Sequence, residues 1–171
     1  MRLSFIDKFI STAGLLAIIV LLTGCPFSSH VPVDEGTVKV SDHMVGQWIS
    51  AADKESLNPT YFIISKEDLF HATAKKMEFS SADSTYSETI YHLTFSDVDG
   101  DVFMNAKEEG SDSYNIFKFE FDEKTAEAHT SEVTDYIKES FNSPAELKAF
   151  IAKNKSNSFF YTNTSEIYVR K

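Results

Sequence analysis

From residue 45 onward, apolar and polar side chains alternate in short runs. The clearest run spans residues 114–121. There Asn115, Phe117, Phe119 and Phe121 share one face, and Tyr114, Ile116, Lys118 and Glu120 share the other. That is the period-two pattern of a half-buried strand, and it makes Phe117 and Phe119 core candidates. Residues 45–49, with Trp48, predict a first strand, and residues 61–65 are rich in aromatic and β-branched side chains, which suit a pleated surface. Residues 69–76 predict a further strand, with Phe70, Ala72 and Ala74 on one face. Residues 88–95 put Ile90, His92 and Thr94 opposite Tyr91, Leu93 and Phe95. Asp99-Gly100 then predicts a tight hairpin turn, with a return strand over 101–107 and another strand over 125–130.

The period changes late in the chain. Val133, Tyr136, Ile137 and Phe141 fall at helical spacing and predict a helix within 132–141. Ser143-Pro144-Ala145-Glu146 predicts a second helix start. Serine caps, proline suits the first helical position, and glutamate three residues on completes a capping box. Residues 159–162 and 166–170 read as a closing hairpin around Asn163-Thr164-Ser165. The expectation is a mainly β, antiparallel meander, closed or nearly closed into a small barrel, with one or two late α-helices. Closure would remove exposed strand edges.

The N-terminus follows other rules. Arg2 and Lys8 precede a mostly apolar stretch over 9–22, and Leu22-Thr23-Gly24-Cys25 follows. The uncharged run is shorter than the ~20 residues that span a bilayer as a helix. The layout is that of an export signal, and its last four residues resemble a bacterial lipobox. The resemblance implies cleavage before Cys25 and a thioether-linked lipid on its sulfur. It divides the chain into a signal peptide (1–24), a lipidated tether (25–40) and a single β-rich domain (41–171). It also implies a bacterial envelope protein, facing the periplasm, whose membrane contact runs through the lipid on Cys25. Cys25 is the only cysteine, so the exported domain must fold without a disulfide.

Val45-Gly46-Gln47-Trp48 resembles the Val-Gly-x-Trp opening of lipocalin-like proteins. That likeness implies an up-and-down barrel closed at one end by Trp48. It further implies that Arg170, near the C-terminus, packs against Trp48.

Charge narrows the partners. The leader holds two basic residues and one acidic residue, so the formal charge of −10 becomes −11 for the chain from Cys25. A strongly acidic domain is a poor match for nucleic acid. Asp97, Asp99 and Asp101 could offer hard oxygens to a calcium ion, although a hairpin turn explains the same residues without a metal. Five histidines, His30, His43, His71, His92 and His129, are scattered without zinc-site spacing. The sequence carries no nucleophile elbow and no phosphate-binding glycine loop. The expectation is a non-enzymatic protein without a cofactor. Fifteen phenylalanines, seven tyrosines and one tryptophan predict a heavily filled barrel serving as an interaction or structural module for an envelope partner. The alternative is a carrier holding a fatty acid or other small apolar ligand in a hollow barrel.

Overall fold

The computed structural model describes residues 27–171. Cys25, the leader and the lipobox lie outside the described residues. Eight strands close into an antiparallel barrel. They are β2 (Gly46–Ser50), β3 (Tyr61–Lys66), β4 (His71–Ser80), β5 (Thr85–Val98), β6 (Asp101–Glu108), β7 (Tyr114–Asp122), β8 (Glu127–Val133) and β9 (Tyr161–Arg170). Each pairs with the next in sequence, and β9 pairs with β2 to close the ring. A two-residue strand, β1 (Ser28–Ser29), adds to β7 at Asn115 and Tyr114. One α-helix, α1 (Pro144–Asn154), is described.

The turns explain the register. Asp99 and Gly100 sit at φ 50° and 84°, the left-handed pair that a two-residue hairpin matched to strand twist requires. Gly46 is needed for a different reason. A Cβ there would lie 2.6 Å from an Arg170 guanidinium nitrogen, so only glycine lets the arginine lie across the end of the barrel.

Two cores result. Inside the barrel, Phe95, Phe119, Leu93, Ala72, Ala74 and Ala106 pack with Val40 and Met44. Outside it, Phe103, Ile116 and Val98 point away from the lumen and are covered by Leu147 and Ile151 of α1, with Phe27, Val33, Val133 and Phe160. Alternation along β6 and β7 thus feeds both cores.

The tether expected over residues 25–40 is corrected for its described part. Phe27, Val33 and Val40 are buried, and the segment is a strap that packs Phe27 and Val33 against the outer core and then brings Val40 into the inner one. Thr37 and Val38 N–H groups donate to the Phe95 carbonyl, each at 2.9 Å. Asn105, wholly buried, accepts from Val33 N–H at 2.7 Å and donates to Thr94 and Ser96 at 3.1 and 3.0 Å. Ser96 in turn donates to Asp34, which also meets Lys148 of α1 at 2.7 Å. Burial alone would raise the Asp34 carboxyl. The bonds from Lys148, Ser96 and Gly36 outweigh it and hold the group below its ordinary value. The strap's apolar residues are few and irregularly spaced, so no periodic signal marks it.

Two further expectations are corrected. The helix expected within 132–141 does not form. Glu132 and Val133 belong to β8, the Val133 carbonyl accepts from Phe27 N–H at 3.2 Å, and Thr134 N–H donates to the Phe160 carbonyl at 3.0 Å. Its backbone partners are therefore nonlocal. Ile137 and Phe141 still reach the outer core, with the Phe141 and Phe150 rings tilted against each other at 5.0 Å. The closing hairpin is instead one strand, β9, continuous from Tyr161 to Arg170, with a shift of register against β8 between Ser131 and Val133. Its pairing with β8 overrides the local turn tendency. At α1 the Ser143 hydroxyl accepts from Glu146 N–H at 3.3 Å, but the Glu146 carboxylate reaches Asn142 N–H at 2.9 Å rather than Ser143.

Candidate ligand cavity

The barrel is hollow toward one end. A cavity of about 690 Å³ is lined by inward residues of all eight barrel strands. This corrects the expected filled interior. All four of Trp48, Phe117, Phe119 and Phe121 border the cavity; Phe119 and Trp48 are buried, whereas Phe117 and Phe121 are only half-buried. Protein interiors hold few voids larger than a water molecule, so this space exceeds ordinary packing irregularity.

The floor is built around Trp48. Its indole N–H donates to the Met44 carbonyl at 2.7 Å, and Phe121 meets it edge-on at 5.9 Å. Arg170 lies opposite Trp48 in the β2–β9 register, its guanidinium 5.2 Å from the ring centre. The same guanidinium donates to the His43 carbonyl at 2.6 Å. The strap crosses this end of the barrel, where Ser41 donates to Glu123 in the β7–β8 turn at 2.9 Å. Stacking and hydrogen bonding therefore seal the floor.

The walls are apolar: Phe62, Ile64, Leu93, Phe95, Met104, Phe117 and Phe119 face the lumen. The polar groups gather toward the other end. Asp53 and the exposed Ala52, of the 3-10 turn Ala51–Asp53, border it there, with Thr60, Lys76, Asn115, Glu132 and the exposed Glu166. The mouth therefore opens beside the β2–β3 connection.

Charge at the mouth is uneven. Lys76 is ion-paired with Glu78 at 2.8 Å. Glu132 stands on the inner face of β8, one pair along from Thr130, which faces Glu166 on β9. Burial, reinforced by the Glu166 charge, pushes the Glu132 carboxyl above its ordinary value. Tyr168 donates to Glu166, and burial followed by that bond raises the Tyr168 phenol far above its ordinary value. Tyr91 is also raised, by burial and then by Glu108.

Glu132, Glu166, Lys76 and Tyr168 escaped the sequence reading. Glu132 fell in the segment read as helix, and Glu166 next to a presumed turn. The available signal was a charged residue at an inward strand position, visible only once the phase of β8 and β9 is known.

The aspartate trio is corrected as a metal candidate. Among the described residues no group of three or more metal-ligating side chains converges. Asp99 forms the turn, and Asp101 meets Lys118 at 3.2 Å and Lys155 at 2.6 Å. Lys155, just past the end of α1, also donates to the Val98 and Asp99 carbonyls at 2.7 and 3.0 Å. Its ammonium thus uses all three donors on this turn, and the turn reading of these residues accounts for Asp99 and Gly100. No protein-family model, no curated protein and no solved structure matches this chain.

Proposed function

We propose that this chain is a lipid-anchored envelope protein whose barrel carries a small molecule with an apolar body. The observation that carries the reading is the cavity of about 690 Å³ with aromatic and aliphatic walls, within the ~300–1,000 Å³ range of small-molecule sites. A filled barrel would have favoured the interaction-module reading; a hollow one with apolar walls favours a carrier. The Val-Gly-x-Trp opening, the eight-strand meander and the Trp48–Arg170 stack support a lipocalin-like relationship. No catalytic group is assigned.

The anchor rests on Leu22-Thr23-Gly24-Cys25. Two or three acyl chains would hold the protein stably where one would be marginal. Buried Phe27 follows Cys25 by two residues, at most ~7 Å of chain, so the domain would sit directly on the membrane surface rather than on a long tether.

Two measurements test the two halves. Metabolic labelling with a clickable fatty acid should mark the wild-type protein and not Cys25→Ser; equal labelling would end the anchor reading. The chain from residue 25 carrying Cys25→Ser should bind the neutral fluorophore N-phenyl-1-naphthylamine with a saturable, one-to-one signal. No saturable binding would end the carrier reading.

A further inference from the structure

We propose that the cavity takes an amphiphile with a cationic head, an amine or guanidinium on an apolar body, in preference to a fatty acid. This inference rests on the carrier reading and names the ligand class for the same site.

The argument is the sense of charge along the lumen. An apolar body would lie against Phe117, Phe119 and Leu93, leaving its head at the polar end. Three carboxylates line that end, Asp53, Glu132 and Glu166, against one ammonium, Lys76. Lys76 is already paired with Glu78, so a carboxylate head would have to compete for it while facing three like charges. An ammonium head would meet the reverse. Among the described residues, Glu132 is engaged by no hydrogen bond or ion pair, and Glu166 accepts from the Tyr168 hydroxyl.

Glu132, half-buried beside the apolar wall and near the Glu166 charge, is costly to keep charged. A cation placed between Glu132 and Glu166 would relieve their mutual repulsion and form charge-assisted hydrogen bonds, which are stronger than neutral ones. An apolar amine with a short or medium chain satisfies both ends of the cavity. A neutral alcohol satisfies only the apolar end, and a fatty acid is opposed at the mouth.

The experiment uses the chain from residue 25 with Cys25→Ser and three probes of equal length: dodecylamine, dodecanol and dodecanoate. Each competes against N-phenyl-1-naphthylamine at neutral pH, below its micelle concentration. Dodecylamine should displace the fluorophore at a concentration at least about tenfold lower than dodecanoate, the effect of one charge-assisted hydrogen bond. Glu132→Gln together with Glu166→Gln keeps the shape of the lumen and should abolish that preference. Glu139→Gln, on the exposed segment between β8 and α1, should leave it intact, which separates the mouth from the general attraction of an acidic protein for cations. Equal or better competition by dodecanoate overturns the proposal, as does a preference that survives the double substitution or is lost equally in Glu139→Gln. If the fluorophore and dodecanol also fail to bind, the carrier reading itself falls.

Discussion

Enlarging an alanine that lines a true cavity should stabilise the protein, whereas the same change in a packed layer should destabilise it. Ala106 and Ala72 give that contrast within one barrel. Both point inward and are buried, but Ala106 borders the cavity and Ala72, fully inaccessible, does not. Leucine adds three carbons. At about 0.8 kcal/mol per buried methylene, Ala106→Leu could gain at most ~2.4 kcal/mol. The mouth is open and the new side chain loses rotamer freedom, so a gain of about 1 kcal/mol is expected. Ala72→Leu forces the same carbons into a filled layer among Val40, Leu93 and Phe95 and should cost ~1–3 kcal/mol. The assay is urea unfolding of the chain from residue 25 carrying Cys25→Ser. With a slope of about 1–3 kcal/mol per molar urea, the two midpoints should move in opposite directions by a readily measured amount. Ala106→Leu should also weaken N-phenyl-1-naphthylamine binding, and Ala72→Leu should not. A fall in midpoint for Ala106→Leu with unchanged slope would refute the reasoning, because it would mean that the lumen at Ala106 is already full.

The strap supplies two further tests. Asn105→Ala removes three hydrogen bonds, two of them buried, and leaves Val33 N–H without a partner. It should cost ~3–5 kcal/mol and expose the Val33 amide to hydrogen exchange; a loss within error would deny the strap its structural role. Asp34 should contribute to acid sensitivity. Its folded value is depressed, so its stabilisation is fully present above the unfolded value of about 3.9 and is lost as pH falls through the folded value. Asp34→Asn should flatten the acid limb of the stability curve below about pH 4, and an unchanged limb would contradict the Lys148 and Ser96 contacts.

What could be read in the sequence was local. The phase of β7, the inward face of β5 and the Asp99-Gly100 turn follow from alternation and from φ preferences, which act over a few residues. So does the Ser143 cap. What could not be read depended on distant partners. Val133 enters β8 because Phe27 and Tyr161 complete its backbone pairing, and neither is near it in sequence. β9 continues through residues 163–165 instead of turning because β8 pairs with it on both sides, at Ser165 and at Tyr161. Asn105 looked like an ordinary polar residue on a strand; its role is set by a strap 72 residues away. Glu132 and Glu166 became visible as mouth residues only after the strand phase and ring closure placed them.

The hollow interior exposes a more general ambiguity. A high aromatic count in a disulfide-free chain argues for a large buried area, but it does not say on which side of a sheet that area lies. Here Phe27, Phe141, Phe150 and Phe160 cluster with Phe103 outside the barrel, whereas Phe62, Phe95, Phe117, Phe119 and Phe121 face its lumen. The outer core is sealed by α1 and the strap, and tied by Asn105, Asp34 and Lys148. That second core contributes stability that a single-core barrel would have to obtain by filling its centre. The inner face is thereby released from close packing over its upper part, and residues that would be poor core choices, such as Glu132 and Lys76, can line it. Hollowness and the external helix are on this view one design. A variant that loosens the outer core should destabilise the barrel without touching a single lumen side chain.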